Sequence, residues 1–100
     1  MSRVFVLTDL GHDYSDAEQF GELEILLQRS EAKVFNTART LALLKKRLWT
    51  YTRDDYLLAV GAPALMVMVG AVLRGHGADS MRLLQWDREE RRNYEVRINL

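Results

Sequence analysis

Residues 56–73 read YLLAVGAPALMVMVGAVL and decide the fold class of this chain. The stretch carries no charge, but Gly61 and Pro63 interrupt it in the middle, which argues against a single membrane-spanning helix. The run before Gly61 is short and apolar and predicts a buried strand. Pro63 suits the first position of a helix, because the amide of that position makes no bond within the helix. A buried strand, a tight turn and an apolar helix together form the unit from which parallel α/β sheets are built.

Strand patterns flank this unit on both sides. Residues 3–8 (RVFVLT) and 81–87 (MRLLQWD) are short, mainly apolar runs, so we predict two further buried strands. Residues 22–28 (ELEILLQ) and 93–100 (NYEVRINL) alternate polar and apolar side chains, which is typical of strands with one wet face. We interpret 22–28 as an edge strand or a strand antiparallel to its neighbour, and the last two strands as a C-terminal β-hairpin.

Two segments have helical character. Apolar side chains recur at helical spacing after Asn36, a good N-cap, and the second helix is predicted from Pro63 to about His76, before the paired glycines. The element order is therefore β-β-α-β-α-β-β. Because strand–helix–strand crossovers are right-handed, this order predicts one small Rossmann-like α/β domain over residues 1–100, with a mainly parallel central sheet.

The composition narrows the classes of partner. Lys plus Arg equals Asp plus Glu at 14 each, so the formal charge is zero and duplex nucleic acid is not an expected partner. There are no cysteines, which excludes disulfides and thiolate metal sites and fits a reducing compartment. The apolar run in MSRVFVLTDL is too short for a signal peptide, so we expect a cytoplasmic protein that does not bind a membrane.

The second predicted helix is apolar on every face. One sheet covers only one face of a helix, and burying Met, Leu or Val side chains contributes about 1.5–3 kcal/mol each. A second copy of the chain is the simplest cover for the remaining face, and Gly70 would let two helices approach closely. We therefore expect a homodimer or higher homo-oligomer through the 63–76 helix.

Two polar turns follow predicted parallel strands, TDLGHDYS at residues 8–15 and GAPA at residues 61–64. Ligands of open α/β sheets bind beyond the carboxyl ends of the strands, and unpaired amides at a helix start, here those of Ala64 and Leu65, attract phosphate. Ordinary turn chemistry is the alternative explanation for both segments. The candidate ligand-binding residues are Thr8, Asp9, Gly11, His12, Asp13, Tyr14, Ser15, Gly61, Ala62, Pro63 and Ala64.

Catalysis and metal binding have weaker support in these turns. His12 would be the general base if the protein is an enzyme, but neither a Ser-His-Asp arrangement nor a phosphate-loop lysine accompanies it. A metal needs three or four ligands, whereas only His12, Asp9 and Asp13 are offered, since His76 is expected at the opposite edge. We expect no metal and no other cofactor.

A third polar cluster is WDREERRNYEV, residues 86–96, in which Trp86 stands beside arginines. Such a pairing occurs in nucleotide sites, and a solvated hairpin turn is the competing interpretation. The hairpin position favours the solvated turn.

Residues 54–77 (DDYLLAVGAPALMVMVGAVLRGHG), with MRLLQWD and NYEVRINL, resemble the small single-domain CARF-like proteins of type III CRISPR systems. The shared features are a buried strand ending in glycine, a proline turn opening an apolar helix, an HG helix end and a closing hairpin. The resemblance implies a Rossmann-like dimer that binds cyclic oligoadenylates as a sponge or a ring nuclease.

Together with the polar turns, this resemblance leads to one functional expectation. We expect the chain to be a binding module for a phosphate-bearing nucleotide signal, such as a cyclic oligonucleotide, in antiviral or viral anti-defence signalling. A phosphodiesterase or ring nuclease that degrades such a signal is the first alternative. A protein–protein adaptor without a small-molecule site is the second.

Overall fold

The computed structural model describes residues 2–32 and 35–100. These residues form five strands and two α-helices: β1 (Arg3–Thr8), β2 (Glu22–Leu27), α1 (Thr37–Arg47), β3 (Tyr56–Leu58), α2 (Pro63–Gly75), β4 (Ser80–Asp87) and β5 (Arg92–Asn99). Two short 3₁₀ helices, Ser15–Phe20 and Arg29–Glu31, flank β2. None of the helices in this part of the chain is long and apolar enough to cross a membrane.

The strands form one sheet in the order β2-β1-β3-β4-β5. The first four are parallel, and β5 pairs antiparallel with β4. The predicted α/β class, mainly parallel sheet and C-terminal hairpin are therefore confirmed. The polar–apolar alternation of β2 reflects its place at the edge, where Glu22 and Glu24 remain exposed. The strand is parallel to β1, so the antiparallel option was wrong.

Helices cover the two faces of the sheet unequally. On one face α1 and α2 pack side by side, and Leu44 and Val69 join Phe5 and Leu57 in the larger core. On the other face the 15–20 helix supplies Ala17 to a smaller cluster of sheet residues. Because the 15–20 helix is short, it leaves part of that second face, toward β4 and β5, open to solvent.

The predicted helix boundaries hold in the structure. The side chain of Asn36 accepts the amide N–H of Arg39 at 3.5 Å, so it caps α1. Pro63 is the first residue of α2, which ends at Gly75 with His76 as its cap. The chain then turns through Gly77 at φ +90°, a backbone conformation that residues other than glycine rarely adopt.

A single copy covers α2 more completely than the sequence indicates. Met66 and Met68 are half-buried against the larger core, whereas the Val67 side chain is 73 % exposed. The additional cover comes from α1, which lies along α2 on the same face of the sheet. The fully buried positions of α2 are Leu65, Val69, Val72 and Leu73. A homodimer through this helix stays a prediction.

A buried carboxylate joins the starts of β1 and β3. Asp55 is 1 % exposed and accepts the Arg3 amide N–H at 3.0 Å and the Arg3 Nη2 at 2.9 Å. It also accepts the Thr52 amide N–H at 2.8 Å. These bonds satisfy the carboxylate oxygens, which would be costly to bury unpaired.

Candidate functional site

A cavity of about 480 Å³ lies at the edge of the sheet where the parallel strands end. Its wall is built from residues 12–14 after β1, residues 58–60 at the end of β3, and the hairpin residues Trp86, Arg88 and Asn93. This volume falls within the range of small-molecule sites.

Strand order explains why a cavity forms there. The chain leaves β1 toward β2 and leaves β3 in the other direction toward β4, although β1 and β3 are neighbours. Connections that depart to opposite sides leave a crevice between the two strand ends, and ligands of open α/β sheets bind in this crevice. The cavity therefore occupies the expected position for a ligand.

The loop after β1 is held by its own side chains. Asp9 accepts the amide N–H of Gly11 at 2.9 Å, and Asp13 accepts that of Ser15 at 2.9 Å. The Ser15 amide lowers the pKa of Asp13. Asp13 is therefore a carboxylate at neutral pH.

Tyr14 and His12 form the aromatic part of this wall. The Tyr14 hydroxyl accepts the amide N–H of Leu10 at 2.9 Å and lies 3.5 Å from the Thr8 carbonyl, which fixes the ring. The exposed His12 ring contacts Tyr14 edge-on, with 6.2 Å between the ring centroids. Of the predicted residues after β1, the structure thus brings His12, Asp13 and Tyr14 to the cavity, while Asp9, Gly11 and Ser15 shape the loop.

The second predicted turn lies beside the cavity. Gly61 adopts φ +114°, and a Cβ at this position would approach the Thr8 hydroxyl oxygen to 3.1 Å. The turn therefore packs onto Thr8, which is 2 % exposed and whose hydroxyl has no hydrogen-bond partner among residues 2–32 and 35–100. Ala62 caps α2, and Pro63 and Ala64 begin it. The Leu65 amide, expected to be free for an anion, donates to the Ala62 carbonyl at 3.0 Å.

The hairpin contributes more to the site than its sequence suggests. The Asn93 backbone N–H and its side-chain Nδ2 both donate to one oxygen of Asp16, at 2.7 and 3.0 Å. This contact joins residues 77 positions apart and holds the start of β5 against the 15–20 helix. The Asn93 Oδ1 is buried and has no partner in the described part of the chain. Trp86 and Arg88 complete this wall, and the Trp86 side chain is 48 % exposed.

The adjacency of Trp86 to arginines was the available signal for this wall, but the sequence analysis favoured a solvated turn as its explanation. No local sequence pattern indicated the contact of Asn93 with Asp16. Its partner belongs to an element near the other end of the chain.

The cavity combines aromatic rings, a cation, a carboxylate and an amide. Aromatic faces stack on nucleobases, arginine binds phosphate, and an amide bonds to the polar edge of a base. Within residues 2–32 and 35–100, no group of three or more metal-binding side chains is placed to hold an ion. The arrangement is suited to a polar aromatic ligand that carries negative charge.

The second histidine, His76, lies at the other end of the strands, where the parallel strands begin. His76 and Trp49 line a separate cavity of about 340 Å³, with 5.0 Å between their ring centroids. His76 is therefore not available to the site at the carboxyl edge, as the sequence predicted.

Comparison with known proteins identifies the family. A scan against protein-family models matches residues 3–100 to the family described as Phage Pam3 gp32-like protein. No curated protein and no solved structure matches the chain. The family match extends from the first residue of β1 to Leu100 and covers nearly all of the sequence. The chain therefore belongs to the phage Pam3 gp32-like protein family.

Proposed function

We propose that the chain binds a phosphate-bearing nucleotide signal in the cavity at the carboxyl edge of the sheet. One observation carries the proposal. Three segments that are distant in sequence meet around a cavity of about 480 Å³: residues 12–14, residues 58–60, and the hairpin, which supplies the Trp86 ring, the Arg88 cation and the Asn93 amide. Each of these groups suits a different part of a nucleotide, and they meet where open α/β sheets bind ligands.

The topology supports a Rossmann-like interpretation of the fold. The parallel strands run in the order β2-β1-β3-β4, which is shared with doubly wound sheets whose ligand lies at the crevice between β1 and β3. The resemblance of residues 54–100 to CARF-like proteins points to a cyclic oligonucleotide as ligand. The phage family match is compatible with a viral protein that sequesters such a signal.

The side chains suggest a division of roles. Trp86 stacks on a base, and the Asn93 Oδ1, which has no partner among the described residues, accepts a hydrogen bond from the polar edge of that base. Arg88 neutralises a phosphate, and residues 61–64 form the adjacent turn. His12 and Tyr14, which line the same cavity, contact the base or ribose. The cavity size suits one nucleotide unit, so a cyclic oligonucleotide would extend beyond it.

The geometry favours holding the ligand over cleaving it. A histidine that acts as general base is normally oriented by a further hydrogen-bonded group. In the part of the chain that the structure describes, His12 contacts the Tyr14 ring and no carboxylate bonds to its imidazole. A phosphodiesterase that uses His12 is the second candidate, and an adaptor without a small-molecule ligand is the third.

Thermal unfolding with a panel of nucleotides, cyclic oligoadenylates included, tests the proposal. A ligand at a hundred times its dissociation constant adds about 2.7 kcal/mol, which raises the melting temperature of a domain this size by roughly 10 °C or more. Chromatography of the recovered ligand separates the candidates, because an intact ligand indicates a sponge and a linear product indicates a nuclease. No shift with any nucleotide would contradict the proposal and leave the adaptor.

Two matched tryptophan variants locate the site. Trp86→Ala is expected to remove most of the nucleotide shift, whereas Trp49→Ala, which removes an exposed ring at the opposite edge, keeps it. His12→Ala is expected to leave the melting temperature without ligand nearly unchanged and to reduce the shift, since an exposed loop side chain adds little stability. An equal loss of the shift in both tryptophan variants would contradict this location.

A further inference from the structure

The outer edge of β5 pairs with no other strand of the described residues. β5 is the last strand in the sheet order, and its eight residues pair with β4 without a break in register. It contains no proline and no bulge, which are common devices that stop an edge from recruiting another strand. Apart from the N–H of Asn93, which Asp16 already accepts, its outer backbone groups are therefore available to a further strand.

The backbone contacts show which residues face outward. Leu100 donates its N–H toward the start of β4 at 2.9 Å, whereas Asn93 donates its N–H at 2.7 Å to the 15–20 helix. Antiparallel strands alternate in this respect from one residue to the next. The even-numbered residues of β5 thus bond to β4, and Glu95 and Arg97 direct their N–H and C=O groups away from the sheet.

The outer edge is chemically self-complementary about Val96. If a second copy pairs antiparallel about a two-fold axis at this residue, Glu95 stands opposite the partner's Arg97. On the other face of the sheet, Tyr94 stands opposite the partner's Ile98. Opposite charges and apolar residues in directly opposite positions both stabilise a strand pair. The outward backbone groups of Glu95 and the partner's Arg97 also form a hydrogen-bonded pair in this register.

Arg97 lacks an acidic partner in the part of its own chain that the structure describes. Its direct neighbour on β4 is Arg82, so two like charges face each other across the hairpin. Arg82 lies 3.6 Å from Glu95, while no carboxylate pairs with Arg97 in the described residues. The partner's Glu95 would supply that missing charge.

The other edge strand of the sheet, β2, has no such complementarity. In β2, Glu22 and Glu24 flank Leu23, so the same two-fold pairing about Leu23 would set glutamates opposite each other. Like charges in directly opposite positions destabilise a strand pair. Self-association by strand pairing therefore favours β5.

We propose that β5 pairs antiparallel with β5 of a second copy of this chain, centred on Val96, and joins the two sheets into one. This homodimer is symmetric and closed, because the same patch serves both subunits. It uses a different surface from the predicted 63–76 helix contact, and it does not depend on the proposed ligand.

Sedimentation equilibrium of the full chain tests the interface. We expect a dimer of twice 11.6 kDa to be populated by the time the protein concentration reaches about 100 µM. Glu95→Arg and Arg97→Glu each set like charges across the interface and are expected to weaken the dimer by about tenfold or more. The double variant restores opposite charges and is expected to dimerise about as tightly as the wild type.

A matched control lies on α2. Val67→Glu introduces a charge at the exposed position of the helix and is expected to leave the dimer intact. A dimer lost in this variant and kept in both single charge variants would overturn the proposal in favour of the helix contact. A monomer at about 100 µM, or a double variant that stays dissociated, would also overturn it.

Amide hydrogen exchange gives a measurement that needs no variant. The Glu95 and Arg97 amides point to solvent in one copy, so they exchange quickly unless a second strand covers them. We expect their protection to rise with protein concentration, while the Val96 amide, bonded to β4, stays protected throughout. Rapid exchange of Glu95 and Arg97 at all concentrations would overturn the pairing.

Discussion

Replacing Asp55 with asparagine is expected to lower the free energy of unfolding by about 2–4 kcal/mol at neutral pH. The carboxylate is 1 % exposed and accepts bonds from Arg3 and from Thr52 on both of its oxygens. Asparagine keeps one oxygen but turns the other into an NH₂ group that faces donors, so a charge-assisted bond worth about 1.5–3 kcal/mol is lost. The Arg3 side chain is 29 % exposed, and water moderates the cost of leaving it unpaired.

The cost should depend on pH. Burial raises the pKa of Asp55, but hydrogen bonds from Arg3 and the Thr52 amide outweigh that effect and hold the pKa below its ordinary value of 3.8. A carboxyl group with a lowered pKa stabilises the fold above its unfolded pKa, and this contribution disappears as the pH falls through the folded pKa. The difference between wild type and variant should therefore shrink below about pH 3.8.

Thermal and urea unfolding followed by circular dichroism measure the effect. A loss of 2–4 kcal/mol corresponds to a fall in melting temperature of roughly 10–20 °C for a domain of this size. Asp54→Asn is the matched control, because this neighbour is exposed and should change stability by less than about 0.5 kcal/mol. Equal stability losses in the two variants, or a difference that does not change in acid, would refute the reasoning.

Three further predictions follow from single contacts. Arg47 lowers the pKa of Glu31 to about 2 from an ordinary 4.5, so NMR titration of Glu31 should find that low midpoint. The free energy of unfolding should fall by less than about 1 kcal/mol as the pH drops from 4.5 to about 2. A midpoint near 4.5 would rule out the ion pair. Thr8→Val removes a buried hydroxyl that has no partner among the described residues, and it should leave the free energy of unfolding in urea equal or up to about 1 kcal/mol higher. A clear loss of stability would contradict this. Gly61→Ala should destabilise the fold by about 1–3 kcal/mol, because its φ of +114° and the nearby Thr8 hydroxyl disfavour a side chain; an unchanged melting temperature would contradict this.

The candidate site was predictable only in part. The clustered polar residues after β1 predicted that this loop forms part of a site, and His12 and Tyr14 do line the cavity. The hairpin wall was ambiguous, since Trp86 beside arginines also suits a solvated turn. It reaches the cavity because Asp16 holds the start of β5, a contact between residues 77 positions apart that no local pattern records.

Local chemistry determined the elements themselves. The strand β1 spans Arg3–Thr8, as its apolar run predicts, and α2 begins at Pro63 because proline suits the first helical position. Asn36 caps α1 because its side-chain oxygen reaches an amide that the helix leaves unpaired. These outcomes depend on neighbours a few residues away, so the sequence alone contains them.

Only the tertiary structure decided which elements became neighbours. The polar–apolar alternation of β2 indicated that one face of the strand is exposed to solvent, but it did not specify the direction of the strand. The parallel pairing of β2 with β1 follows from the crossover that connects them. The apolarity of α2 suggested an external partner, yet α1 covers much of it within one copy. Strand order and helix packing depend on burial summed over residues far apart in the chain, and a local pattern states only that a face must be covered, without saying by which element.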